Sequence, residues 1–316
     1  MMAAKFNTRE IVTFFILCFC WGSTFITLKE GLGTLPPLLF AGLRFVLAAA
    51  VFGIIMLARG QQLTRPTSDE WRRLLTSSLL VITLNYGLVF WGAQFLPAGI
   101  SGLVSFASVA LWLTALGLLS RAEPVRPAVL IGLGCGVFGF ALLILPKLGD
   151  SPRQVLGIAA MFAAGLAHSQ GSLWVKPVLK KHGALVITMI QMAVGGVVLL
   201  GLSAVLESPD ITVLQGLREP RALLSLVYLV GVGSLLGFWL YNRLLTRWAP
   251  SQVALYTFVS PLVSLSLGAL IYQERFAGLE VWAMLCLLAA VVVNFWGRLT
   301  AQHPPQPQQH VSSETP

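Results

Sequence analysis

The sequence carries one pattern twice, half a chain apart, inside uncharged stretches long enough to cross a bilayer. FCWGSTFITLKEG (Phe19 to Gly31) and HSQGSLWVKPVLKKHG (His168 to Gly183) each place a Gly-Ser pair within an apolar run. In both, a ring follows (Phe25, Trp174) and Lys comes near the end. Setting Gly22 on Gly171 gives an offset of 149 in a chain of 316 residues, and repetition at half-length implies two copies of one unit. The pattern extends further. FLPAGISGLVSF at 95–106 matches RWAPSQVALYTF at 247–258, and RAEPV at 121–125 matches YQERF at 272–276, with Glu123 over Glu274.

Composition decides the solvent of these units. The chain is 56% hydrophobic and only 10% charged, against roughly 25% charged in soluble domains. A spanning helix needs about 20 mainly apolar residues, and ten such spans are predicted: 10–28, 37–58, 73–92, 97–119, 127–146, 155–178, 184–206, 222–245, 252–272 and 278–297. No charge lies between Arg73 and Arg121, which is room for two spans joined at the Leu96-Pro97-Ala98-Gly99 corner. Pro36, Pro37, Pro127, Pro152, Pro220 and Pro250 also sit at span boundaries, where a missing N–H does least harm. The N-terminus resembles a secretory signal, with Lys5 and Arg9 before Ile11 to Cys20, yet its echo at 168–183 marks it as the first span.

The expected fold is therefore an all-α integral membrane protein of ten transmembrane helices. Residues 10–146 form the first five-helix repeat, 155–297 the second, and the Pro/Gln-rich segment 298–316 a disordered cytoplasmic tail. Five spans per copy is odd, so the second copy enters from the opposite face and the repeats are inverted.

The net charge of +9 does not point to nucleic acid, because the basic residues are scattered over short loops. Fourteen of the 21 Lys and Arg fall on the side of the N-terminus, among them Arg59, Arg65, Arg72, Arg73, Lys180, Lys181 and Arg298. Six fall on the other side, and Arg44 lies within a span. Positive loops are retained inside, so both termini are expected in the cytoplasm. The four cysteines lie in apolar runs and suggest neither disulfides nor a metal.

WGSTFITLK in the first span, Leu43-Arg44-Phe45 in the second, LPAGISGL before the fourth and SPLVSLSLGALIYQER in the ninth resemble the EamA-type family of the drug/metabolite transporter superfamily. The resemblance covers residues 10 to 297. It implies a ten-helix permease of the cell inner membrane, often an exporter of amino acids or other metabolites. It also implies a cavity formed chiefly by helices 1, 3, 4, 6, 8 and 9, with 5 and 10 peripheral. His168 and Gln170 depart from the pattern, standing where the second copy often carries a Trp opposite Trp21.

The candidate substrate-binding residues are Trp21, Ser23, Asn85, Tyr86, His168, Gln170, Trp174, Trp239 and Tyr256. Rings with one polar handle suit a cavity that holds an apolar side chain and orients a small zwitterion. Gly22 and Gly171 are expected to leave room between the first and sixth spans. Trp91 and Trp248, near span ends, read as an interfacial aromatic belt. The serine series at 101, 105, 108 and at 260, 264 reads as close helix packing. Arg44 is assigned a structural role, as an intramembrane charge that must face protein or water.

No GxSxG, HExxH or P-loop pattern occurs, so an enzyme or an ATP-driven pump is disfavoured. Inverted repeats within one chain favour a carrier over a channel. The expected function is export of small metabolites, most simply amino acids, by alternating access; a drug, nucleoside-like or sugar-like substrate is the alternative. No cofactor or metal is implied. The partners are a small-molecule substrate and the lipid bilayer, and the protein is expected to be a monomer.

Overall fold

A computed structural model describes residues 8–301 except 61–65, 121–126, 149–150, 211–212, 214–215, 246, 249–252, 254 and 277. The disordered tail expected at 298–316 falls largely outside them, as do Glu123 and Pro250. The described residues form ten long helices: α1 (Thr8–Leu32), α2 (Pro37–Ala58), α3 (Ser68–Ala93), α4 (Ala98–Leu119), α5 (Pro127–Ile144), α6 (Pro152–His182), α7 (Ala184–Leu206), α8 (Pro220–Leu244), α9 (Tyr256–Tyr272) and α10 (Leu279–Ala301). Without water, a chain crossing lipid must satisfy its backbone internally, and helices do so. Prolines open α2, α5, α6 and α8, at the position whose N–H has no intrahelical partner.

Seven of these helices are long and apolar enough to cross a membrane, and α9 and α10 contain shorter apolar helices. α6 is 31 residues long but is not among the seven, since His168, Ser169, Gln170 and Ser172 dilute it. Several helices outrun the predicted spans by a few residues at ends that carry charge, such as Lys29 and Lys181.

The helices pair as two copies related by a pseudo-twofold. α2 packs on α7, α5 on α10 and α4 on α9. α1 packs on α9 and α8, and its counterpart α6 packs on α4 and α3. The repeat reaches backbone detail: α3 widens into a π-helix at Leu79–Leu84, and α8 does the same at Leu229–Leu236. No residue pattern marks this shared departure from regular helix.

Small residues set the approach of these pairs. A Cβ on Gly22 would sit 2.6 Å from the Ser260 carbonyl oxygen and from Val263, so Gly22 is where α1 meets α9. A Cβ on Gly171 would meet Val81 at 2.7 Å and Leu80 at 2.9 Å, where α6 meets α3. The expectation that these glycines open space between α1 and α6 is thereby corrected: they are consumed in packing against other helices. Ser108 and Ser264 behave as read, whereas Ser105 lines the cavity described below. Ser108 donates to the Met161 carbonyl across α4–α6 at 3.2 Å, and Ser264 donates to the Ala98 carbonyl across α9–α4 at 3.2 Å.

Helix ends are tied by carboxylates. Glu207, just past α7, accepts from the N–H groups of Leu38 and Leu39 at 2.7 and 3.0 Å, closing the N-terminus of α2. Glu274, just past α9, accepts from Ala98 and Gly99 at 2.6 and 3.0 Å, closing that of α4. Beside it, Lys29 donates to the carbonyls of Leu96 (2.9 Å) and Gln94 (3.3 Å), and Tyr272 donates to Glu30. These contacts gather one end of α1, α3, α4 and α9 into a seal.

Gly22→Leu and Gly171→Leu should each lower the yield and thermal stability of detergent-solubilised protein, by about 1–3 kcal/mol as overpacking does. Gly201→Ala, where no atom lies within 4 Å of the added Cβ, should be tolerated. Equal behaviour of all three in a size-exclusion thermal-stability assay would refute the packing role.

Candidate substrate cavity

Four helix stripes converge on a cavity of about 350 Å³. α1 contributes Trp21, Thr24, Phe25 and Leu28, at i, i+3, i+4 and i+7. α6 contributes His168, Ser172, Val175 and Leu179, which again share one face. α3 adds Asn85, Tyr86, Val89 and Phe90 just after its π-helical stretch, and α8 adds Gly233, Phe238, Tyr241 and Asn242 around its own. A π-turn rotates the residues that follow out of simple helical phase, so both stretches help aim these side chains. Tyr256 and Thr257 of α9 and Ser105 and Phe106 of α4 complete the wall. α2 and α7 also take part, through Arg44, Phe45, Thr188 and Gln191, while α5 and α10 contribute none of the lining residues.

The apolar walls are two aromatic groups. In the first, Trp21 meets Tyr256 edge-on at 4.4 Å between centroids and lies 5.5 Å from Tyr241 and 6.1 Å from Phe238. Its indole N–H donates to the Gly233 carbonyl at 3.2 Å, and a side chain at Gly237 would strike the ring. Glycine at 237 lets the indole lie against α8. In the second group, Phe45 and Tyr86 are 4.5 Å apart, and the Arg44 guanidinium lies 5.0 and 5.4 Å from their centroids. The lining reaches Leu179 and Ala184, on either side of the α6–α7 turn, and at the other end stops at Leu28 and Phe90 beneath the Lys29–Glu274 seal.

Of the nine candidates, Trp21, Asn85, Tyr86, His168 and Tyr256 lie on this wall. Ser23, Gln170, Trp174 and Trp239 are not among its lining residues. Helical phase accounts for the first three. Ser23 follows Trp21, Gln170 follows His168, and Trp174 follows Ser172 by two residues, about 200° round the helix. Ser23 instead shares a hydrogen bond with the Tyr228 hydroxyl at 2.7 Å. Trp174 is 40% exposed, and Trp239 is 50% exposed with the Arg243 guanidinium 5.4 Å from its ring centroid. Trp248 is also corrected. It is buried, stacks on Phe14 at 5.5 Å and donates to Glu10 at 3.0 Å, since Glu10 gives its N–H a partner inside the protein. Of the residues missed, Thr24, Phe25 and Ser172 could have been found by carrying the stripes from Trp21 and His168 along their helices, whereas Phe106 of α4 could not.

No group of His, Cys, Asp and Glu among the described residues could hold a metal. Among the described residues, Asp and Glu are also absent from the cavity lining, and Arg44 is its fixed charge.

Comparison with known proteins places this architecture. A chain titled "Probable amino-acid metabolite efflux pump" from Escherichia coli (strain K12) is 26% identical over 298 residues, covering 92% of this chain and 96% of its own length. Its namesake from Salmonella typhimurium is 27% identical, with 88% and 91% covered. A solved crystal structure superimposes with a TM-score of 0.63 over 93% of this chain and 99% of the other; at 19% identity this shows the fold. The EamA-like transporter family matches residues 8–145 and again 155–296, and the chain belongs to that family.

Proposed function

We propose that the protein is a secondary carrier that exports small organic metabolites, amino acids with apolar side chains first among them, across the cell inner membrane by alternating access. The observation that supports this most is the cavity. It is walled by both copies of the repeat, sealed toward one end, and reaches the α6–α7 turn at the other. About 350 Å³ lies within the range of small-molecule sites. The relatives named as probable amino-acid metabolite efflux pumps support the substrate class. The protein reconstituted in proteoliposomes with unlabelled L-phenylalanine inside should accumulate labelled L-phenylalanine by counterflow, saturably. Transport of a cationic dye without amino-acid counterflow would overturn the assignment.

The asymmetry of loop Lys and Arg puts Ser68 in the cytoplasm and Ser208, just past α7, outside. Ser68→Cys and Ser208→Cys should therefore react with an impermeant maleimide from opposite faces of the membrane. Labelling of both from one face would refute inverted repeats and the orientation together.

In that orientation the α6–α7 end of the cavity is the cytoplasmic one, which we read as the loading side of an exporter, with the Lys29–Glu274 seal as its outer gate. Glu274→Ala removes the cap on Ala98 and Gly99, a loss of about 1 kcal/mol, which shifts a two-state equilibrium about fivefold. A cysteine at Leu28, inside the gate, should then gain reactivity from the outside. No change in its external labelling rate would show that the seal is not a gate.

A further inference from the structure

We propose that the Arg44 guanidinium anchors a carboxylate of the transported compound, so that the cavity selects monoanions with an aromatic or apolar body and does not require an amine. The inference rests on the carrier reading and narrows its substrate. Arg44 was assigned a structural role from the sequence; the structure puts it on the cavity wall, 6% exposed. Its hydrogen bond is a single long one, from Nε to the Ser234 hydroxyl at 3.3 Å. Among the described residues no carboxylate pairs with it.

A guanidinium carries five N–H donors in a planar fork that matches the two oxygens of a carboxylate. Here one is engaged. Leaving a buried cation without an anion is costly, and the faces of Phe45 and Tyr86 offset that only in part. Gly233 keeps the space beside the fork clear: a Cβ there would come within 3.1 Å of Nη2. The geometry is that of half an ion pair. The rest of the wall consists of rings, aliphatic side chains such as Val175 and Leu179, and neutral polar groups such as Asn85 and Thr188, with no Asp or Glu among the described residues. An ammonium therefore finds π-faces and neutral oxygens but no counter-charge, and it shares the cavity with a cation already present.

Two comparisons test this. In proteoliposomes, 3-phenylpropionate and N-acetyl-L-phenylalanine should compete with labelled L-phenylalanine at least as well as L-phenylalanine does, and the cationic L-phenylalaninamide about tenfold less well or worse. In detergent, Arg44→Gln should weaken stabilisation by 3-phenylpropionate about thirtyfold or more, as truncating one side of a buried charge pair does. Arg44→Lys should fall between, because it keeps the charge and loses the fork. If Arg44→Gln does not fold, the competition series and the Lys variant still decide. Equal competition by the amide, or full affinity in the Lys variant, overturns the anchor and leaves counterflow, and so the carrier reading, standing. Arg44-dependent binding without counterflow overturns the carrier and keeps the anchor. Neither binding nor flux with any of the four compounds overturns both.

Discussion

Close approach of helices at small residues is the constraint on which the rest of this structure depends. In lipid there is little hydrophobic gain in bringing helices together, so association relies on packing and hydrogen bonds across the contact. Gly22 against the Ser260 carbonyl, Gly171 against α3, and Gly165 against Ser108 are contacts of that kind. Each brings one helix of a repeat onto its neighbour closely enough that a methyl group would not fit. At about 100° per residue, Gly22 and Gly171 lie beside the cavity stripes of α1 and α6, so the close packing at the glycines flanks the stripe from Trp21 to Leu28 and the stripe from His168 to Leu179.

The carboxylates make a second layer of the same logic. Every helix starts with N–H groups that have no intrahelical partner. Glu207 and Glu274 supply acceptors from across the bundle rather than from the helix's own cap. A cap donated by a distant helix ties two ends together, which a local Ser or Asp cap cannot do. The acidic residues found near span ends thus serve architecture, and the cavity is left without negative charge.

Much of the fold was legible in the sequence. Uncharged runs gave the helices, prolines several of their starts, and the 149-residue offset the presence of two copies. The site was legible only in part. Trp21, Asn85, Tyr86, His168 and Tyr256 could be picked as rings and polar groups deep in spans, but the same criterion also picked Ser23, Gln170, Trp174 and Trp239. Residue type tells depth poorly and helical phase not at all, and the π-helical stretches of α3 and α8 alter that phase with no marker in composition. Trp248 shows the same limit from the other side. A Trp near a span end reads as interfacial, and only the position of Glu10 reveals that it is packed inside.

The polar stripe that α6 turns to the cavity bears on how the chain is built. α1 is apolar enough to enter a bilayer unaided, with a mean hydropathy of 2.1 over its best window, whereas α6 does not reach that class. Its partners α3 and α4 both precede it in the chain. They are already in the membrane when α6 leaves the ribosome, and can shield His168, Ser169 and Gln170 as it inserts. The first copy has no such help, since the partners of α1 are α8 and α9, which are synthesised near the end. Of this matched pair, the helix that precedes its partners, α1, is thus the more apolar, and α6, which follows α3 and α4 in the chain, carries the polar groups.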